Sequence, residues 1–273
     1  MNSKRCILIS LLFVFGMVGH TFAGDPPAGA VAVYDCEPGA DPNILYDSVS
    51  GWNAVWEQGE GSFTWDAGDG VIDGSLDVST DGATFAADPM LIDNVGDDWS
   101  FAVWLKPVSG AGGENALLQS RNYVHTINFI ARDETVRIKG PGWGGPEASV
   151  WFPDEDRDKW SHWAFVRSAA GVSIYRDGIK LGSTSDSAPL GLYPENLDDG
   201  VQFAIGSEPD GSHRFRGKMD DLRFYHRALS SDEILAYVGD ADVARDPSPN
   251  SSKSALSTYD ELATAATLTW TAG

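Results

Sequence analysis

Cysteine is nearly absent from this chain, which has two among 273 residues, Cys6 and Cys36. Cys6 lies in an N-terminal segment that we expect to be removed, so the mature protein would carry a single thiol. A single thiol excludes an internal disulfide, and the fold must be stabilised by packing or by a bound metal. Cys36 ends the strand-like run VAVYDC and is expected to be a small buried side chain rather than a reactive thiol.

Basic residues are also scarce. The chain has 19 Lys and Arg against 40 Asp and Glu, a net charge of −21. Such a surface repels nucleic acid and anionic membranes, so we expect neither as a partner. The same charge keeps divalent cations nearby, but it does not identify a ligand.

The N-terminus has the three regions of a secretory signal peptide. Lys4 and Arg5 precede an apolar run over residues 6–18, and Thr21–Ala23 provides a cleavage site. A membrane anchor is the alternative, but the run is too short to span a bilayer comfortably and no basic flank follows it. We predict a signal peptide over residues 1–23, no membrane insertion, and a secreted protein that acts outside the cell or at its surface.

Long stretches with helical periodicity are missing. From residue 24 to residue 240, Gly, Asp and Pro interrupt the chain about every ten residues, and the runs between them are β-rich. Trp99–Lys106 and Trp160–Arg167 carry aromatic or β-branched residues on both faces, which is typical of inner strands. We predict one monomeric all-β domain over residues 24–240, a two-sheet antiparallel jelly-roll sandwich with one short C-terminal helix.

That helix has clear start signals. Ser230 is a predicted N-cap and Glu233 its partner in a capping box, while Leu229 and Ile234 are placed to form a hydrophobic staple. The helix should run from Ser231 to about Val238 and close the domain against a sheet.

The composition changes after Gly239. Residues 246–252, DPSPNSS, are typical of a linker, and residues 267–273, TLTWTAG, read as one β-strand. One strand cannot bury its face alone. We therefore interpret residues 241–273 as a linker and the truncated first strand of a following β domain in a longer protein. A disordered tail is the alternative.

Seven motifs follow one another along the chain: VYDCE (33–37), DSVSG (47–51), GVIDGSLD (70–77), WSFAVWLKP (99–107), WSHWA (160–164), IYRDG (174–178) and GKMDDLRFYHRALS (217–230). In this order they resemble a laminin G-like domain of the concanavalin A-like lectin/glucanase superfamily, of the type found in secreted bacterial proteins. The C-terminal segment resembles the junction to a fibronectin III-like domain. The Glu-x-Asp-x-Glu strand motif of the superfamily's glucanases does not occur, so we expect a non-catalytic role.

Asp220 is the first candidate site residue. In a regular strand it would share a face with Leu222 and Phe224 and point into the core, where a carboxylate needs a partner. The resemblance implies a Ca²⁺ ligand here, acting with backbone carbonyls and an acidic residue of the first strand, which Glu37 matches. Asp47 is a weaker third ligand candidate. The alternatives are that Asp220 meets a buried Arg or backbone donors, and that Asp47 forms a turn.

A glycine-rich segment, residues 140–146, carries Trp143. An exposed indole is a natural platform for a sugar ring, and Glu147 and Asn122 would form hydrogen bonds to its hydroxyl groups. Tyr123 would lie at a further edge of this binding surface. The alternative is that Trp143 folds back onto the sheet. The same question arises for Trp52, Trp56 and Trp65.

Other polar features receive structural interpretations. The acidic string over residues 66–81 does not have calcium-loop spacing and is expected to be solvated. The acidic loop 153–159 is not expected to supply a catalytic pair, because glycosidases hold two acids on rigid elements at a defined separation. His162 is expected to be a core histidine.

These features favour a secreted, calcium-stabilised, non-catalytic recognition module within a larger extracellular protein. Its partner would be a polysaccharide, a glycoprotein glycan or a protein. A purely structural spacer is one alternative, and a glycoside hydrolase with an atypical acid pair is another.

Overall fold

The computed structural model describes residues 26–91, 98–120, 126–130, 134–139, 147–185 and 201–239. The predicted signal peptide, the C-terminal segment 241–273 and the candidate binding residues Asn122, Tyr123 and Trp143 lie outside these ranges. No helix in the described ranges is long and apolar enough to cross a membrane.

Two antiparallel sheets form a sandwich, as predicted; strands are numbered in chain order. Sheet A runs, in spatial order, β14 (Ile179–Thr184), β13 (Gly171–Arg176), β12 (Ser161–Ser168), β7 (Trp99–Pro107), β16 (Gly217–Tyr225), β5 (Ser75–Asp77) and β4 (Thr64–Asp66), and β1 (Ala32–Tyr34) also pairs with β16. Sheet B runs β11 (Glu147–Trp151), β10 (Thr135–Lys139), β9 (Thr126–Ile130), β8 (Glu114–Ser120), β15 (Phe203–Ile205), β6 (Ala83–Ala87), β3 (Ala54–Gly61) and β2 (Ile44–Leu45). Helix α1 (Ser231–Gly239) and the 3₁₀ turns Pro89–Leu91 and Asp154–Asp156 complete the described elements.

The main core lies between the sheets and is rich in aromatic rings. Phe101 packs against Phe224 with 4.7 Å between ring centroids, and Phe129 of sheet B meets Trp163 of sheet A edge-on at 5.3 Å. On the opposite face of β7, Trp104 packs with Tyr237 of α1. Both faces of β7 are therefore covered, one by sheet B and one by α1, which explains its apolar residues on both sides.

The capping box predicted for α1 is present. The Ser230 hydroxyl accepts a hydrogen bond from the Glu233 backbone N–H at 3.2 Å, and the Glu233 carboxylate accepts one from the Ser230 N–H at 2.9 Å. Leu229 and Ile234 are both buried. The predicted start of the helix is confirmed, and its end lies one residue beyond the prediction.

We expect Ser230→Ala to lower the free energy of unfolding by about 1 kcal/mol, because an N-terminal donor of α1 loses its acceptor. Urea denaturation of the variant and the wild type measures the difference. Ser183→Ala, at an exposed position of β14, is the matched control and should change stability by less than about 0.5 kcal/mol. Equal effects of the two substitutions would contradict the capping role.

A β-bulge interrupts β16 at its two adjacent aspartates. Before it, Asp220 pairs with Trp104; after it, Arg223 pairs with Ala102, so the register shifts between them. Asp221 supplies the extra residue and has a positive φ of 48°, a conformation that Asp tolerates better than most residues. The bulge shifts the alternation of side chains by one position.

This shift corrects the predicted orientation of Asp220. Residues directly opposite on paired strands share a face, so Asp220 lies with Trp104 on the side of sheet A that α1 covers. Met219, rather than Asp220, joins Leu222 and Phe224 in the core between the sheets. Asp220 is nevertheless 0% exposed, so the predicted burial of this carboxylate is correct although the face is not.

Candidate functional site

Asp220 and Asp221 lie where two short strands meet along one edge of β16. Strand β1 pairs with the part of β16 after the bulge, and β5 pairs with Lys218 and Met219 before it. The gap between β1 and β5 is closed by residues 35–37 and by the segment 70–74, which leads into β5. We call this region the β16 junction.

The two aspartates of the junction have different partners. Asp221 forms a paired contact with the Arg223 guanidinium, at 2.8 Å from Nε to Oδ2 and 2.7 Å from Nη2 to Oδ1, and it accepts a hydrogen bond from the Tyr237 hydroxyl. Asp220 Oδ2 accepts hydrogen bonds from the backbone N–H groups of Val71 and Ile72, at 2.6 and 2.8 Å. Asp221 is thus compensated by a cation, whereas the donors to Asp220 among the described residues are backbone N–H groups.

One oxygen of Asp220 lacks even a backbone donor. Oδ1 is buried, and within the described ranges no group donates a hydrogen bond to it. Burial, with a smaller contribution from the adjacent Asp221 carboxylate, raises the pKa of Asp220 to about 7, against the opposing effect of the Ile72 and Val71 N–H groups. An unpartnered carboxylate oxygen in this environment would be stabilised by a proton or by a metal cation.

Glu37 binds the same segment as Asp220. Its Oε1 accepts a hydrogen bond from the Gly74 backbone N–H. A Cβ at Gly74 would lie 2.7 and 2.9 Å from the two Glu37 carboxylate oxygens, so glycine permits this close approach. Glu37 and Asp220 therefore both bind one short segment, residues 71–74; that they are ligands of one ion stays a prediction.

Asp47 lies apart from that segment and acts as a turn residue. Its Oδ1 accepts hydrogen bonds from the Val33 and Val49 N–H groups, and its Oδ2 from those of Ser50 and Trp52, at 2.8–3.0 Å. Four donors use the lone-pair directions of an ionised carboxylate. Of the two interpretations of Asp47, the turn-forming one describes this geometry.

Two lysines hold the segment that covers Asp220. Lys218 Nζ lies 2.6 Å from Asp66, 2.8 Å from Asp69 and 3.5 Å from Asp77, and Lys106 Nζ lies 3.0 Å from Asp69. These aspartates of the acidic string are thus ion-paired rather than simply solvated, which corrects the sequence interpretation. The pairs fix the loop between β4 and β5 over the junction.

Next to the junction is an open cleft of about 350 Å³ lined by Asp35, Cys36, Glu37, Pro38, Gly39, Ala40 and Tyr46. It gives a solvent path to the Glu37 side of the junction. Cys36 itself is 2% exposed, and burial raises the pKa of its thiol. This agrees with the expectation of a buried, unreactive cysteine.

Within the described ranges, no group of three or more His, Cys, Asp or Glu side chains is arranged to hold a metal ion. A cation at the junction would therefore take side-chain oxygens from Asp220 and Glu37 and its remaining ligands from backbone carbonyls. Ca²⁺ accepts such a mixed set of carboxylate and carbonyl oxygens. The unpartnered, buried Oδ1 of Asp220 fits this chemistry.

A second candidate site lies on the outer face of sheet B at its β11 edge. Along β11, Ala148 and Val150 are buried, whereas Glu147, Ser149 and Trp151 are exposed. Trp151 is 65% exposed, and its indole N–H donates a hydrogen bond to Glu134 Oε2 at 3.3 Å. An indole that is both open and held by a hydrogen bond is a fixed aromatic surface. We call this region the Trp151 face.

Strand β10 continues the Trp151 face with polar side chains. Thr135 pairs with Trp151, and Arg137 pairs with Ser149. The Arg137 guanidinium lies 3.1 Å from Glu114 and 3.9 Å from Glu147. Donors and acceptors therefore stand beside the indole, an arrangement suited to a ligand with an apolar surface and many hydroxyl groups.

Further along the same face, two amides are buried with free acceptors. Asn128, which pairs with Arg137, is 5% exposed, and Gln119 is 2% exposed. The described residues donate no hydrogen bond to Asn128 Oδ1 or Gln119 Oε1. Buried polar groups are normally hydrogen-bonded, and these two oxygens have no donor within the described part of the chain.

The structure places the predicted binding residues unevenly. Glu147 lies on the Trp151 face, while the neighbouring Trp143 precedes it in a segment outside the described ranges. Trp52, Trp56 and Trp65 are only partly exposed and pack against the core, so none is an open platform. Trp151 was missed, although the alternation in EASVW places it in phase with Glu147.

The remaining sequence candidates have structural roles. His162 is 1% exposed and packs edge-on against Trp104 and Tyr237. In the acidic loop, Asp154 and Asp158 accept hydrogen bonds from the backbone N–H groups of Gly110 and Ser109, and Asp156 pairs with Arg176 at 2.8 Å. Each of these acids thus has its own local partner.

Comparison with protein families identifies the superfamily to which the chain belongs. Residues 73–235 match a laminin G-like family model described as the concanavalin A-like lectin/glucanases superfamily. The chain belongs to this superfamily, which confirms the resemblance found in the motifs. Neither the superfamily match nor the described fold extends to the C-terminal segment that resembles a fibronectin III-like domain. No sequence among the curated proteins matches the chain significantly.

Solved structures with a similar fold include domains of three different proteins. Domain 4 of AbnA, a GH43 extracellular arabinanase from Geobacillus stearothermophilus solved with arabinotriose, has a TM-score of 0.53 at 18% identity, covering 77% of this chain and 98% of that one. The Trypanosoma rangeli sialidase has 0.50 at 14%, covering 78% and 33%, and the botulinum neurotoxin serotype G binding domain has 0.51 at 14%, covering 77% and 51%. This chain spans a third of the sialidase and half of the toxin domain.

Proposed function

We propose that this protein is a secreted, non-catalytic recognition module that binds glycan on the Trp151 face. The observation that carries the proposal is the open indole of Trp151, 65% exposed and held by Glu134. Tryptophan has the largest side chain and is normally largely buried. Its exposure on an ordered strand, rather than on a loop, supports a binding role.

The chemistry of the surrounding side chains favours a sugar. The apolar face of a pyranose or furanose ring stacks on an indole, and its hydroxyl groups both donate and accept hydrogen bonds. Glu147 offers acceptors, Arg137 offers donors, and Ser149 offers both. Large contiguous apolar patches often mark protein–protein interfaces, whereas Trp151 has polar neighbours on this face.

The similar fold of AbnA domain 4, which was solved with arabinotriose, supports a glycan partner without identifying it. Trp143, Asn122 and Tyr123 remain candidates for extending the surface, since Trp143 precedes Glu147 closely along the chain. We propose a polysaccharide or glycoprotein glycan as the partner, with the domain forming part of a larger extracellular protein.

We also propose that Ca²⁺ binds at the β16 junction through Asp220 and Glu37. The ion would connect β16, the chain after β1 and the segment 70–74, and so stabilise the fold from the side opposite to sheet B. Its role would be structural, since the Trp151 face lies on the other sheet.

A panel of immobilised polysaccharides tests the recognition function. The full chain should bind at least one of them, and it should release no sugar from any. Failure to bind any glycan would favour the spacer alternative, whereas release of reducing sugar would favour a glycoside hydrolase with an atypical acid pair.

A further inference from the structure

Glu134 has an unusual backbone conformation for its residue type. Its φ is +49°, in the left-handed region that glycine adopts easily and that costs other residues energy. Its backbone carbonyl accepts a hydrogen bond from the Phe152 N–H at 2.6 Å. A glycine would satisfy the same backbone geometry with less strain, so the Glu134 side chain is not explained by the turn.

The Glu134 carboxylate has a specific contact instead. It accepts the hydrogen bond from the Trp151 indole N–H, which is the polar atom of the exposed ring. This contact fixes the direction in which the ring faces solvent. Strained residues cluster at functional sites, and here the strained residue orients the proposed platform.

The charges around the platform are also informative. Glu134 contacts the indole, and on the same face the Arg137 guanidinium is already shared between Glu114 and Glu147. An anionic sugar would have to displace these carboxylates from Arg137 while approaching Glu134. An uncharged sugar meets no such repulsion and gains acceptors for its hydroxyl groups.

We propose that Glu134 is a positioning residue for Trp151 and that it makes the face selective for uncharged glycans over carboxylated or sulfated ones. This inference rests on the proposed glycan-binding function. Glu134 acts in two separable ways: its oxygen orients the indole, and its charge excludes anions.

Two substitutions separate these effects. Glu134→Gln keeps an acceptor for the indole N–H and removes the charge, whereas Glu134→Gly removes both and relieves the backbone strain. The full chain and both variants are titrated with neutral polysaccharides (arabinan, xylan and galactan) and anionic ones (polygalacturonate and dextran sulfate). Thermal melting of each variant is measured in parallel.

We expect the wild type to bind a neutral polysaccharide and to bind the anionic ones at least about tenfold more weakly. Glu134→Gln should keep neutral binding within about twofold and improve anionic binding about threefold at low salt, a gain that disappears near 1 M salt, where the Debye length is about 3 Å. Glu134→Gly should weaken neutral binding about tenfold, because the ring loses the hydrogen bond to a charged group that orients it. Its melting temperature should equal or exceed that of the wild type.

A double-mutant cycle tests the positioning role directly. In a Trp151→Ala background, Glu134→Gly should cause no additional loss of neutral binding. A full additional loss there, or unchanged binding by Glu134→Gly alone, would overturn the positioning role. Equal binding of neutral and anionic glycans by the wild type would overturn the selectivity and leave glycan recognition intact. No binding to any polysaccharide would overturn the proposed function itself.

Discussion

Calcium should raise the melting temperature of the wild-type protein by about 5–10 °C, and Asp220→Asn should remove this rise. An ion bound only by the folded state stabilises it by about 2.7 kcal/mol at one hundred times its dissociation constant. For a domain of this size, each kcal/mol corresponds to about 2–4 °C. Calorimetry in Ca²⁺ and in chelator measures the difference.

Two further variants define where the ion binds. Glu37→Gln should reduce the calcium-dependent rise, because the second carboxylate of the junction is lost. Asp232→Asn, an exposed acid in the first turn of α1, should leave it unchanged. If Asp220→Asn melted with the same calcium dependence as the wild type, the ion would bind elsewhere.

The pH dependence follows from the same carboxyl group. The pKa of Asp220 is raised to about 7 in the folded state, against about 3.9 in an unfolded chain. Between these values the folded state holds a proton that the unfolded state has lost, so stability contributed by Asp220 falls as pH rises from about 4 to about 7. In chelator, the wild type should lose on the order of a few kcal/mol across this window relative to Asp220→Asn.

Calcium should reverse this trend, because the ion binds the deprotonated carboxylate. The calcium-dependent stabilisation should therefore grow with pH over the same window. Denaturant titrations at several pH values, with and without Ca²⁺, measure both effects. In chelator, a wild-type stability that rose with pH relative to Asp220→Asn would show that the carboxyl is not held protonated.

Trp151→Ala should weaken glycan binding by about thirtyfold or more, since exposed aromatic anchors of a binding surface typically account for about 2 kcal/mol each. The melting temperature should change little, because the side chain is mostly in solvent. Trp151→Phe should retain part of the affinity, as a smaller ring still stacks. Titration with the tightest-binding neutral polysaccharide measures all three proteins.

Leu181→Ala is the matched control for that experiment. Leu181 is also an exposed apolar residue, 44% accessible, but it lies on β14 of sheet A. The Leu181→Ala variant should bind the polysaccharide with the same affinity as the wild type. Comparable losses of affinity in Trp151→Ala and Leu181→Ala, or no loss in either variant, would show that glycan binding does not depend on the Trp151 face.

Much of the fold could be predicted from the sequence because local and long-range signals agree. The aromatic and β-branched residues on both faces of Trp99–Lys106 predicted a strand that is covered on both sides. The capping box at Ser230 and Glu233 predicted the start of α1. The order of the motifs along the chain also predicted the superfamily. In each case the residue pattern reflects contacts that the structure contains.

The orientation of Asp220 could not be predicted in this way because a single extra residue reverses the faces of a strand. The signal was present in the paired aspartates, since Asp is disfavoured within strands and tolerates positive φ. Strict alternation nevertheless assigned Asp220 to the wrong face. The partners of Asp220 come from Val71 and Ile72, about 150 positions away, a contact that no local pattern encodes.

Trp151 was missed for a related reason. The glycine-rich segment 140–146 favoured Trp143 as the exposed indole, whereas exposure of Trp151 on an edge strand follows only when the inward residues Ala148 and Val150 are recognised as core. The hydrogen bond from its indole to Glu134 crosses between strands and depends on their register.

The cation site that we propose beside sheet A and the sugar surface that we propose on sheet B can both be observed in one spectrum. In a proton–nitrogen correlation spectrum of isotope-labelled protein, Ca²⁺ should shift the backbone N–H signals of Val71 and Ile72 and leave the Trp151 indole N–H unchanged. The neutral oligosaccharide that binds best should do the reverse. Calcium that leaves the signals of Val71 and Ile72 in place, or a bound sugar that leaves the indole signal in place, would contradict the account.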